Sequence, residues 1–194
     1  MKLGLQLPTD PRWADLTAVS IEDILVDHAF CEQKAASSCI SLIVRFSDEE
    51  EIVEALTPIV AEEWGHFKKV VKELKRRGFK LGKQRKDEYV NKLPGILKKG
   101  GSRQEQLVEL LLMAGLIEAR SCERFRSLWL NHPEEYLRNF YYDFMVSEAG
   151  HYKTFLSIAK LYMPEGQVLS RWKEILQAEA KIIADLEVRG DRIH

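Results

Sequence analysis

Two short words in this chain match: Glu63-Trp64-Gly65-His66 and Glu148-Ala149-Gly150-His151. Each sets a carboxylate and an imidazole three residues apart, one turn along the same face of a helix. A lone Glu-x-x-His arises easily by chance. Here each is preceded by a further glutamate, Glu32 lying 31 residues before Glu63 and Glu118 lying 30 before Glu148. The second copy follows the first at offsets of 86, 85 and 85 residues. One helical hairpin carrying half of a metal site, used twice, produces this spacing. One Glu from each of two helices and a Glu-x-x-His from each of two others is the ligand set of di-iron and di-manganese carboxylate bundles.

Such a set, with one imidazole per metal and no thiolate, suits iron or manganese better than structural zinc. On this reading Glu32 and His66 are terminal ligands of one ion, Glu118 and His151 serve the other, and Glu63 and Glu148 bridge. Open positions would let a reduced di-iron pair activate O₂. The ligands alone fit ferroxidase, peroxidase, reductase and oxygenase chemistry equally.

The helical neighbours of the four carboxylates are apolar or small. Leu56, Ile59, Val60, Phe67 and Val70 surround Glu63, and Tyr141, Phe144, Met145, Tyr152 and Phe155 surround Glu148. Ala29 and Ala36 flank Glu32, while Ala114 and Gly115 precede Glu118. A carboxylate on a buried face needs a proton, a cationic partner or a metal. Glu62 and Glu123 are competitors that fall off the ligand faces. His28, one turn before Glu32, is read as a core or boundary histidine, with an outer role at the site as the alternative. Glycine immediately before both histidines breaks helix propensity at matching positions, and close approach of a neighbouring helix is the expected reason.

Four long helices must position these groups. Residues 1–16, with Pro8, Asp10 and Pro11, read as an extended lead-in pinned by Trp13 and Leu16. A first helix is expected from Ser20 to Phe46. A second should run from a capping box at Ser47-Asp48-Glu49-Glu50 to Arg77, with Pro58 inside it. Residues 78–101 form a crossover with a short helix near Asp87–Lys92, as joining two parallel halves of a bundle requires. A third helix should open at the capping box Ser102-Arg103-Gln104-Glu105 and end near Asn131. The fourth, with Pro133 in its first turn, should stop at Met163-Pro164. A fifth is expected over 166–189 with Gly190 as its C-terminal cap. The expected architecture is all-α, a ferritin-like four-helix bundle with one long crossover and an added C-terminal helix, in a single domain over 1–194.

The 194 residues, 45% hydrophobic and 30% charged, have ordinary soluble-protein composition. Three cysteines without a Cys-x-x-Cys pair argue against a disulfide framework or zinc ribbon. With no secretory or bilayer-spanning stretch, a cytoplasmic protein is expected. The net charge of −1 hides a strong asymmetry. Between Lys68 and Arg103 stand 14 Lys and Arg against three acids, Glu73, Asp87 and Glu88. Lys75, Arg76, Arg77, Lys80, Lys83, Arg85 and Lys86 are the densest part, and such a patch attracts a phosphate backbone. Lysines also favour helix C-termini in any protein, so a solvated helix end is the alternative to nucleic-acid contact, which the charge favours.

The chain resembles the MiaE-like tRNA hydroxylases, non-haem di-iron enzymes of the ferritin-like superfamily. The similarity lies in Asp27-His28-Ala29-Phe30-Cys31-Glu32-Gln33-Lys34-Ala35-Ala36, Glu62-Glu63-Trp64-Gly65-His66, Ile117-Glu118-Ala119-Arg120-Ser121-Cys122-Glu123-Arg124-Phe125 and Ser147-Glu148-Ala149-Gly150-His151-Tyr152, and in the tail Arg189–His194. It implies O₂-dependent hydroxylation of the isopentenyl group of 2-methylthio-N6-isopentenyladenosine beside the tRNA anticodon. It implies an external ferredoxin or reductase as electron donor, and Glu32, Glu63, His66, Glu118, Glu148 and His151 as ligands of two iron ions. Arg120 and Arg124 would then either hold site carboxylates or form surface ion pairs. The rival expectations are a rubrerythrin- or ferritin-type oxidase or peroxidase, and a metal-free bundle that binds RNA through its basic segment.

Overall fold

The computed structural model describes residues 3–193, so Met1 and Lys2 of the expected lead-in and His194 of the tail lie outside the described residues. The described residues form seven α-helices, one short 3₁₀ turn and no strand. In order these are α1 (Arg12–Val19), α2 (Ile21–Arg45), α3 (Glu50–Arg76), α4 (Glu88–Lys92), the 3₁₀ turn Leu93–Gly95, α5 (Arg103–Asn131), α6 (Glu135–Tyr162) and α7 (Glu165–Ala184). They fall into two compact units. One holds residues 15–86 and Arg189–Ile193; the other holds residues 3–14 and Asp87–Val188.

In the first of these units α2 lies along α3. Phe46 ends α2, its N–H donating to the Leu42 carbonyl, and Glu49 precedes α3. The expected Ser47–Glu50 capping box does not form: the residue at the N-cap is Glu49, without a side-chain cap. Glu50 and Glu51 in the first turn supply negative charge to the positive helix end instead. The tail of the chain closes this unit. The Ile193 N–H donates to Asp27 Oδ2 at 2.8 Å, while the Arg85 guanidinium donates to the carbonyls of Asp191 (2.8 Å) and Asp23 (3.0 Å). Gly190 is therefore a packing glycine and not the expected helix cap, because a Cβ there would collide with the Leu16 backbone. The last helix ends earlier than expected, at Ala184 with Asp185 as its cap.

In the other unit α5 and α6 pack lengthwise and α7 touches both. The Ser102–Glu105 capping box closes in both directions, Glu105 N–H to Ser102 Oγ at 3.1 Å and Ser102 N–H to Glu105 Oε2 at 2.6 Å. Helix α5 is buried on nearly every side, from Leu107 to Leu128. Phe125, Phe140, Tyr141 and Phe144 form an aromatic cluster with ring centroids 4.9–6.4 Å apart. The lead-in is shorter than expected. Asp10 accepts the Arg12 N–H at 2.9 Å and Pro11 precedes the first turn, so Asp-Pro starts helix α1 here rather than prolonging an extended strand. Trp13 is buried as expected, but Leu16 is exposed.

Candidate metal centre

Each unit builds one half-site from its own helices. In the first, α2 supplies Glu32 and α3 supplies Glu63 and His66. His66 Nδ1 lies 3.3 Å from Glu32 Oε2 and 3.7 Å from Glu63 Oε2. In the second, α5 supplies Glu118 and α6 supplies Glu148 and His151. His151 Nδ1 lies 4.0 Å from Glu118 Oε2 and 3.6 Å from Glu148 Oε2. Within each half the three ligand atoms are within 4.8 Å of one another. The same atom of each imidazole faces the same pair of carboxylates, so the sequence repeat is a geometric repeat too.

All four carboxylates and His151 are buried, and His66 is partly so. Two carboxylates gathered beside an imidazole away from water repel one another unless a cation or protons intervene. Oxygen donors with one nitrogen, and no sulfur, suit iron or manganese, so the donor set of each half fits the expected metal. Cys122, one turn beyond Glu118, belongs to neither group of close donor atoms. Burial, with Glu148 and Glu123 nearby, pushes its thiol up to about 12, and it donates to the Met145 carbonyl at 3.4 Å.

The competitors have other occupations. Glu62 is exposed. Glu123 accepts from the Thr9 N–H at 2.9 Å and pairs with Arg120 at 3.0 Å. His28 is wholly buried, and its Nε2 sits 2.6 Å from Glu32 Oε1, which places it at the site's edge.

Arg120 serves neither of the roles expected of it. It is fully buried on α5, donating to Glu179 of α7 (2.7 Å), to Glu123 and to the Leu7 carbonyl (2.9 Å). Arg124 is buried against the Trp13 ring, 5.1 Å from its centroid. Burial, aided by neighbouring Arg120, pushes the Arg124 guanidinium down to about 10. These are interior charges that fasten the lead-in and α7 to α5. A signal for the pairing existed: Glu179 lies on the α7 face that also carries Trp172, Ile175 and Leu176, all buried.

The expected reason for the motif glycines is wrong. A Cβ on Gly65 or Gly150 would meet nothing within 4 Å among the described residues. The close approach falls instead at Gly115, where a Cβ would come within 2.9 Å of Leu156 Cδ1 on α6. Gly65→Ala and Gly150→Ala should each raise stability, by about 0.5–1 kcal/mol, because alanine is the better helix former. Thermal melts of the metal-free protein check this, and lowered melting points would restore a steric role for these glycines.

Of the basic residues, Lys75, Arg76, Lys80, Lys83 and Lys86 are exposed, and Arg77 and Arg85 half-buried. Arg76 and Arg77 both hold Glu73, and Arg85 holds Asp23 and Asp191. The three arginines are thus engaged in the fold, leaving the lysines as the more available charges.

The helical fold and its two carboxylate–imidazole half-sites define a ferritin-like protein. A Synechococcus protein described as having aldehyde deformylating oxygenase activity superposes with a TM-score of 0.92, at 32% identity over 98% of this chain and 94% of that one. The chain belongs to the family described as tRNA-(MS[2]IO[6]A)-hydroxylase (MiaE), whose pattern matches residues 2–194. A Pseudomonas putida relative named tRNA 2-(methylsulfanyl)-N(6)-isopentenyladenosine(37) hydroxylase is 33% identical over 187 residues, 95% of this chain and 90% of its own length. A Salmonella typhimurium relative of the same name is 30% identical over 136 residues, covering 69% of this chain and 48% of that protein.

Proposed function

We propose that this chain is a di-iron monooxygenase that hydroxylates the isopentenyl group of 2-methylthio-N6-isopentenyladenosine in tRNA. The repeated, buried Glu, Glu-x-x-His half-site in a member of this hydroxylase family carries the reading. Glu32, Glu63, His66, Glu118, Glu148 and His151 would hold two iron ions. Iron bound there supplies O₂ activation, with one oxygen atom going to a substrate C–H bond and the other to water. The two further electrons come from an external ferredoxin or reductase. The chain's own part is to present oxygen and nitrogen donors from rigid helices, which fixes their positions better than loops do. Among the described residues no helix is long and apolar enough to cross a membrane. Action on tRNA fits a cytoplasmic protein.

The tRNA would meet the basic stretch at the end of α3 and in the crossover. Trp64, 47% exposed and stacked on Phe67 at 4.8 Å, heads a row on α3 continued by exposed Lys68, Lys72 and Lys75. Aromatic rings stack on bases and lysines neutralise phosphates. Replacing Lys75, Lys80, Lys83 and Lys86 together by alanine should weaken tRNA binding and reduce the magnitude of the salt slope of log K by roughly three to four. Binding measured between low and moderate salt checks this, and an unchanged slope contradicts it.

The reading is tested by incubating iron-loaded protein with prenylated tRNA, O₂ and a reductant, followed by mass analysis of the nucleosides. A gain of one oxygen on the prenylated adenosine is expected. Deformylation of an aldehyde without any change to tRNA, or ferrous oxidation alone, would overturn it.

A further inference from the structure

The segment that follows α3 carries charge without a scaffold of its own. Residues 79–86 run without helix or strand, with Gly82 at φ +64° and Lys80, Lys83 and Lys86 exposed. A stretch of this kind, left loose, gives up much conformational freedom when a ligand orders it. Its far end is held by residues 189–193, a tail that supplies none of the proposed metal ligands. Arg85 is the meeting point. Its Nη1 lies 3.2 Å from Asp191 Oδ2 and 2.9 Å from Asp23 Oδ1, and its Nη2 donates to the Asp191 and Asp23 carbonyls at 2.8 and 3.0 Å. The next residue is fastened too, because the Lys86 carbonyl accepts from the Arg192 guanidinium at 3.3 Å. Asp191 thus gathers three guanidiniums, those of Arg85, Arg189 (3.0 Å) and Arg192 (3.1 Å). Burial works against its charge, but the hydrogen bonds from Arg189, with Arg192 and Arg85 close by, hold its carboxyl below the usual range. The tail is itself anchored: Ile193 is fully buried with its N–H on Asp27 of α2, and Gly190 lies against Leu16.

Resting on the tRNA interface proposed above, we propose that Asp191 and Arg85 are positioning residues for it. Through them the tail holds residues 79–86 in one conformation, so that the lysines of this segment meet a phosphate backbone already ordered. Charge alone predicts the reverse for Asp191. An acid beside a basic surface opposes a polyanion, so its removal would strengthen binding. Positioning predicts weaker binding, because a released segment has to be ordered at the moment of contact. Each long side chain immobilised in that way lowers affinity by about 2–10-fold. The sign of the effect therefore separates the two.

The test uses the full-length protein with Asp191→Ala and Arg85→Lys, and reads prenylated tRNA binding, amide hydrogen exchange and melting. Arg85→Lys keeps the charge but loses the planar fork that spans Asp191 and Asp23 at once. Both variants should bind tRNA about 2–10-fold more weakly at moderate salt. Exchange of the amides of residues 79–86 should quicken in both, while α2, α3 and the melting point stay close to wild type. Tighter binding by Asp191→Ala, unchanged binding by Arg85→Lys, or no faster exchange in residues 79–86 would overturn the inference while leaving the tRNA interface in place. Faster exchange throughout the chain with a lowered melting point would show a general part in stability, and would overturn it too. Wild type that fails to bind tRNA would overturn the interface itself, an outcome distinct from any change in exchange.

Discussion

Replacing Glu63 with leucine is expected to abolish hydroxylation and at the same time make the metal-free protein more stable. Glu63 is 1% exposed and shares its half-site with Glu32 and His66. Without a cation, two such carboxylates in one buried cluster are a cost to the fold. Well-packed apolar replacements of buried charged groups stabilise proteins by about 1–4 kcal/mol. The loss of a ligand should cut turnover by more than the roughly 10–100-fold that removing an outer partner costs. The paired measurement is a melt of the metal-free protein beside a turnover assay. A variant that is both inactive and clearly less stable would show that Glu63 is there for structure, not for a metal. The opposite movement of stability and activity is the signature of a site whose strain is kept for its chemistry.

The second large effect lies away from the metal. Arg120→Met should destabilise the protein by about 3–5 kcal/mol, because it leaves Glu179 buried with its guanidinium partner gone. Tyr89 also donates to Glu179, at 3.2 Å, but a phenol does not neutralise a carboxylate. Burial already pushes the Glu179 carboxyl up, with Arg120 and Arg124 opposing that shift, so without Arg120 the group should hold its proton to still higher pH. Denaturant unfolding of Arg120→Met, Glu179→Leu and the double variant forms a cycle. The double variant should recover most of the loss. If Arg120→Met cost less than about 1 kcal/mol, the pair would be a passenger rather than the fastening of α7 to α5.

The contrast between these residues shows what was legible in the chain. The clustering of the six proposed ligands could be read because they repeat: Glu32 and Glu118, then Glu63-x-x-His66 and Glu148-x-x-His151, at nearly constant offset. Helix limits marked by local chemistry were also legible, as at Ser102–Glu105 and at Met163-Pro164 after α6. Features decided by distant partners were not. Ser47 looks as good a cap as Ser102, but α3 begins after Glu49. Gly190 reads as a helix stop, and its actual reason is the Leu16 backbone, far away in sequence. Arg120 looks like a helix-surface charge until α7 brings Glu179 to it 59 residues later. Asp10-Pro11 reads locally as part of an extended lead-in, and the hydrogen bond to Arg12 shows a helix start there instead. His28 reads as a core or boundary histidine in the sequence, and only the 2.6 Å contact shows it beside Glu32.

The proposed chemistry requires each half-site to hold an iron ion. Iron content per chain after anaerobic ferrous loading and desalting tests that most directly, with wild type compared against Glu63→Leu and Glu148→Leu. About two iron ions per chain in wild type, with a marked loss in either variant, is the predicted result. One iron or none in wild type, or two retained in both variants, would contradict it.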